Sequence, residues 1–138
     1  MSHPTLLLAD DHEDTGNLLR GLLQEEFDVI ALVQDGIALV NAAERLSPDV
    51  IVTDISMPGL DGIAATSEIL HRNPVARIVL VTVSQDPLLE QRGLDAGALG
   101  YVLKRTAGEE LIPAVRSAVR GERHVSLLRS DAKAGLPS

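Results

Sequence analysis

The sequence predicts a doubly wound α/β domain built on a parallel sheet. Two observations lead there. Five short, almost uninterrupted apolar runs alternate with five longer stretches of helical character. Acidic and polar residues then collect where the runs end, Asp10 and Asp11 after the first and Asp54 after the third. Strands that are apolar throughout suit a sheet covered by helices on both faces, as parallel sheets are. A repeated βα unit implies the doubly wound arrangement.

The first run, Thr5–Ala9, leads into a helix near Asp14–Glu26, where Leu18, Leu19, Leu22 and Leu23 form an apolar stripe at three-to-four spacing. The second strand, Val29–Val33, precedes a helix over Gly36–Arg45 that Asp35 can cap. The third, Val50–Thr53, is followed by Asp54 and a Met-Pro-Gly-Leu-Asp-Gly loop whose Pro and Gly fix its turns. Asp61 then caps a helix over Gly62–Arg72. The fourth strand, Ile78–Val83, leads to a helix over Pro87–Ala96, with Asp86 as cap and Pro87 in the first helical position. Gly93 weakens that helix, which suits a mobile element. The fifth strand, Gly100–Leu103, precedes a helix over Ala107–Arg120, where Thr106 and Glu109 read as a capping box. Pro113 removes one hydrogen bond from this helix and should bend it or delay its start. The domain is expected over residues 1–122, with 123–138 a linker or flexible tail.

Composition excludes several classes of function. A chain of 138 residues with 45% hydrophobic content can bury a core as one domain. The net charge of −8 argues against a direct grip on nucleic acid, which needs a basic face. The absence of Cys excludes disulfides, zinc–thiolate sites and thiol nucleophiles. The apolar runs are too short to span a bilayer, and the N-terminus lacks the regions of a signal peptide, so a cytoplasmic location is expected.

In a sheet of order 2-1-3-4-5 the first and third strands are neighbours at the switch point, where ligands bind beyond the carboxyl ends. Asp10, Asp11 and Asp54 then converge. Clustered like charges are costly without a cation, and a hard ion such as Mg2+ prefers oxygen ligands while keeping waters that a phosphate can replace. Thr82 and Lys104, near the ends of the fourth and fifth strands, bring a hydroxyl and an ammonium to the same edge.

The segments Leu-Ala-Asp-Asp-His (8–12), Asp-Ile-Ser-Met-Pro-Gly-Leu-Asp-Gly (54–62), Val-Thr-Val-Ser (81–84) and Gly-Tyr-Val-Leu-Lys (100–104) resemble the receiver domain of bacterial two-component response regulators. The stretch 96–104 is most similar to the subgroup that carries a LuxR-type helix-turn-helix output domain. The resemblance covers roughly residues 5–122 and implies the flavodoxin-like fold. It implies Asp54 as phosphoacceptor for a histidine kinase. It also implies Mg2+ held by Asp10, Asp11, Asp54 and the Ser56 backbone carbonyl. Lys104 and Thr82 would hold phosphoryl oxygens, and Tyr101 would swing inward as Thr82 is drawn to them. Ser56 and Ser84 would tune hydrolysis of the acyl phosphate. The output surface would be the fourth helix, fifth strand and fifth helix. Arg105 stands where many receivers have a cis-Pro, so no cis bond is expected.

Blander readings stand beside these. Asp10 or Asp11 could cap the first helix. Thr82 suits any strand, Lys104 any surface, and Tyr101 could be an ordinary half-buried aromatic. His3, His12, His71 and His124 show no metal spacing and read as surface residues, although His12 could sense the adjacent charge. Arg116, Arg120, Arg123 and Arg129 read as a solvated face.

A phosphohydrolase with an aspartyl nucleophile would use the same chemistry, but Ser56 stands where its second acid belongs, and no separate substrate turnover is expected. A phosphorylation-independent interaction module would need only the fold. The remaining alternatives are a stand-alone regulator acting by protein contact and a transcription regulator whose DNA-binding domain lies beyond Ser138. Residues 121–126 resemble the start of a two-domain linker and favour the second. Homodimerisation through helix faces is a further expectation of the family.

Overall fold

Alternation along the strands divides the apolar residues between two layers. In the computed structural model, which describes residues 3–125, Leu6 and Leu8 of strand β1 (Thr5–Ala9) face one layer and Leu7 and Ala9 the other. The strands β2 (Asp28–Val33), β3 (Val50–Asp54), β4 (Ile78–Thr82), β5 (Gly100–Leu103) and β6 (His124–Val125) join β1 in one parallel sheet of order 2-1-3-4-5-6. Helices α1 (Glu13–Leu23) and α5 (Ala107–Val119) cover one face through Leu19, Leu23, Leu111 and Val115. Helices α2 (Gly36–Leu46), α3 (Gly62–Arg72) and α4 (Pro87–Asp95) lie on the other, where α2 and α3 contribute Leu39, Ile63 and Ile69. β3, β4 and β5 are buried throughout, as their continuous apolar runs require, whereas edge strand β2 is partly exposed. The expected order 2-1-3-4-5 and all five helices are present.

Several local expectations hold. The side chains of Asp35, Asp61 and Asp86 accept hydrogen bonds from the amides of Ala38 (2.7 Å), Ala64 (2.8 Å) and Leu88 (3.0 Å). Pro87 opens α4, and no peptide bond among the described residues is cis.

Other expectations need correction. Helix α1 ends at Leu23, because the amides of Glu26 and Phe27 both turn back onto the Leu23 carbonyl. Leu18 is 75% exposed, since the buried face of α1 runs through Gly16, Leu19 and Leu23 and position 18 lies off it. β4 stops at Thr82, and Val83 faces solvent. The capping box does not form. A 3-10 turn over Lys104–Thr106 leads into α5, and the Thr106 hydroxyl donates back to the Leu103 carbonyl. Pro113 sits inside α5 without delaying its start.

Gly93 has a packing role. A Cβ there would lie 2.6 Å from Leu80 Cδ1, so the glycine lets α4 approach the sheet closely. Within the stretch expected to be linker, His124 and Val125 pair beside β5, with the His124 amide donating to the Leu99 carbonyl. Residues 126–138 of that stretch lie outside the described residues. Among the described residues, no helix is long and apolar enough to cross a membrane.

Candidate functional site

The register of the sheet assembles the site. β1 pairs with β3 so that Ala9 lies opposite Thr53, and the chains then deliver Asp10 and Asp54 side by side. β4 pairs with β5 so that Thr82 lies opposite Leu103, with Lys104 next in the chain. Gly62 lets α3 begin against the floor of the pocket, where any Cβ would meet the Asp54 carbonyl oxygen at 2.2 Å.

Asp10 and Asp54 are buried, at 1% and 5% exposure. The Lys104 ammonium bridges them, 3.2 Å from Asp10 Oδ2 and 3.2 Å from Asp54 Oδ2. Lys104 is therefore a partly buried counterion and not a solvated surface lysine. Burial pushes the Asp54 carboxyl above the ordinary aspartate range; Lys104 opposes that shift, Asp10 adds to it, and the Ser56 amide also opposes it. That amide donates to Asp54 Oδ1 at 3.3 Å.

Neither Asp10 nor Asp11 is the N-cap of α1. His12 occupies that position without a side-chain cap bond, and its amide donates to Asp10 Oδ1 at 2.9 Å. Asp11 Oδ1 is buried yet accepts no hydrogen bond. Potential ligand atoms of Asp10, Asp11, His12 and Asp54 all lie within 4.8 Å of one another. A buried carboxylate oxygen without a donor, in a cluster whose other acids supply only oxygen, fits a hard divalent cation.

Thr82 is buried, and its Oγ1 accepts a hydrogen bond from the Ser84 amide at 3.1 Å. Its own O–H can still donate to an anion at the strand ends. The Ser84 carbonyl in turn accepts from the Tyr101 hydroxyl at 3.2 Å. Tyr101 is not half-buried. It is 1% exposed and packs inward with Leu80 and Leu103.

The structure thus brings Asp10, Asp11, Asp54 and Lys104 into one pocket and places Thr82 and Tyr101 on a connected path beside it. Two contacts go beyond the sequence reading, which places His12 beside the acids as a surface residue and Ser84 as a flank of the pocket. His12 faces the acids with Nδ1 3.0 Å from Asp11 Oδ1, although most of its side chain is exposed. Ser84 links Thr82 to Tyr101 through its backbone, which no side-chain motif reveals. A separate cleft of about 270 Å³, lined in part by Val40, Ile51 and Ile69, lies near the amino end of β3 and holds none of these groups.

A parallel sheet with acids at its switch point and a lysine bridging them defines a doubly wound protein with a buried, ion-paired pocket at its strand ends. The chain belongs to the response regulator receiver domain family, whose profile it matches over residues 6–116. The transcriptional regulatory protein LiaR of Bacillus subtilis is 39% identical over 119 residues, which are 85% of this chain and 56% of LiaR. The oxygen regulatory protein NreC of Staphylococcus epidermidis is 36% identical over 125 residues, 88% of this chain and 57% of NreC. The crystal structure of a LuxR-family two-component response regulator from Aurantimonas sp. superposes with a TM-score of 0.91 at 30% identity, covering 96% of each chain. This chain spans a little over half the length of the curated relatives it matches.

Proposed function

We propose that this receiver is phosphorylated on Asp54 by a sensor histidine kinase and relays that event to an output. The observation that carries the reading is the Lys104 ammonium held 3.2 Å from both Asp10 and Asp54 at the switch point. A carboxylate oxygen of Asp54 attacks phosphorus, the O–P bond forms, and the bond from phosphorus to the phosphodonor's leaving atom breaks. Lys104 then passes from carboxylate to phosphoryl oxygen as a mobile point charge. The Thr82 hydroxyl donates to a second oxygen. Asp10, Asp11 and Asp54, with the Ser56 backbone carbonyl, are the groups that would hold Mg2+, which when bound neutralises charge between carboxylate and phosphoryl oxygens.

Coupling runs through Ser84. Drawing Thr82 toward the phosphoryl group pulls on the Ser84 peptide, whose carbonyl holds the Tyr101 hydroxyl. The population of the active state rises because only that arrangement satisfies the added charge. The output surface is α4, β5 and α5. The proposed domain comprises residues 1–122 together with β6, followed by a linker to a DNA-binding domain that controls transcription in the cytoplasm. The names and greater length of the relatives support that assignment. Homodimers through helix faces complete the proposal.

The test is intact mass after incubation with acetyl phosphate and Mg2+. One phosphoryl adduct on the wild type and none on Asp54→Asn is the expected result. No adduct, or an equal adduct on the variant, would sink the proposal.

A further inference from the structure

The His12 ring is the member of the pocket that the phosphoacceptor role leaves unused. Its Nδ1 lies 3.0 Å from Asp11 Oδ1, 3.6 Å from Asp10 Oδ1 and 4.0 Å from Asp54 Oδ2. Ligands about 2.1 Å from one octahedral ion lie about 3.0 Å apart when adjacent and about 4.2 Å apart when opposite. The 3.0 Å separation from Asp11 Oδ1 matches adjacent ligands; 3.6 Å to Asp10 Oδ1 matches neither value, and the 4.0 Å contact approaches the opposite one but is to an oxygen that Lys104 also engages.

The acids also divide their oxygens. Asp10 Oδ2 and Asp54 Oδ2 face Lys104, whereas Asp10 Oδ1 and Asp11 Oδ1 face the imidazole. Asp11 Oδ1 is buried and accepts no hydrogen bond, and Nδ1 is its close neighbour at 3.0 Å, so both atoms are placed to share an ion. The His12 backbone N–H donates a hydrogen bond to Asp10 Oδ1, which fixes the residue beside the acids that its ring faces.

We propose that His12 supplies a nitrogen ligand to the divalent ion held by Asp10, Asp11 and Asp54, and so shifts the preference of the site from Mg2+ toward first-row transition ions. The proposal rests on the acidic pocket being a metal site. An all-oxygen set suits Mg2+, whereas imidazole adds affinity for ions such as Mn2+, Co2+ and Zn2+. An exposed histidine that merely neighbours carboxylates would add no such preference.

The experiment titrates Co2+ and Mg2+ into the full chain and into His12→Ala by calorimetry, and records pulsed electron paramagnetic resonance of the Mn2+-loaded proteins. The ratio of Co2+ to Mg2+ affinity should fall about 10-fold or more in the variant, the scale of losing one imidazole ligand. Nitrogen hyperfine coupling to Mn2+ should appear in the wild type and vanish in His12→Ala. A role confined to packing would weaken both ions alike and leave the ratio unmoved. An unchanged ratio, or no nitrogen coupling in the wild type, overturns the inference while the acidic site stands. Failure of the wild type to bind either ion overturns the metal site and the role of His12 together.

Discussion

Replacing Lys104 by Met keeps most of the stem and removes the charge that holds two buried carboxylates together. Each Nζ–carboxylate pair is 3.2 Å long. At an effective dielectric constant of about 20, such a pair is worth about 5 kcal/mol before desolvation is counted. The net figure is smaller, because taking three charges out of water opposes it. Burial, with the neighbouring Asp10 charge, holds the Asp54 carboxyl above the ordinary aspartate range despite Lys104 and the Ser56 amide. Removing one partner of a buried ion pair costs about 3–5 kcal/mol, since the other charge stays buried and uncompensated. The side chain of Lys104 is 13% exposed, and the acids can relieve repulsion by binding a proton, so the low end applies. Lys104→Met should therefore lose about 3 kcal/mol of unfolding free energy in urea at pH 7 with EDTA present. Millimolar Mg2+ should restore more stability to the variant than it adds to the wild type, because the ion takes over the compensation. A loss under about 1 kcal/mol in EDTA, within the range of an exposed ion pair, would refute the reasoning.

Asp54→Asn should be more stable than the wild type in EDTA at pH 7, read by urea denaturation. The folded pKa of Asp54 is raised, so its ionisation penalty is full above that pKa and relieved as pH falls below it; the advantage of the variant should shrink on acidification. Gly93→Ala gains about 1 kcal/mol of helix propensity but pushes a methyl against buried Leu80, an overpacking cost of about 1–3 kcal/mol. The expected result is a lower thermal midpoint, and a higher one would mean that Gly93 serves only to weaken α4. The Arg116 guanidinium of α5 bonds Glu26 in the turn after α1 and holds that carboxyl below its usual range. Its contribution is present above the unfolded pKa of about 4.3 and lost as pH falls through the folded value. Arg116→Gln should therefore unfold more readily near pH 7 and converge with the wild type under strong acid, as followed by circular dichroism.

Periodicity made the fold legible because β1, β3, β4 and β5 are buried on both faces, and such strands are apolar over most of their length, with the polar residues Thr53, Asp54 and Thr82 confined to the carboxyl ends. Strand order then followed from general rules, and with it the meeting of Asp10, Asp54 and Lys104. Contacts that depend on the backbone path were not legible. The Thr82–Ser84–Tyr101 connection uses an amide and a carbonyl, which carry no residue signature. Thr106 has the right residue type for a capping box, but a 3-10 turn redirects its hydroxyl to Leu103. Gly93 reads as a helix breaker because sequence cannot show Leu80 beneath it. His12 looked solvated because its exposure was expected correctly while the direction of its ring was not visible.

The central claim is that Asp54 receives the phosphoryl group. Borohydride reduces an acyl phosphate to the alcohol, so a phosphorylated aspartate becomes homoserine. The measurement is peptide sequencing by mass spectrometry after treatment with acetyl phosphate, Mg2+ and borohydride. Homoserine at position 54, absent when phosphodonor is omitted, is the expected result. Homoserine at Asp10 or Asp11, or at no position, would contradict the account.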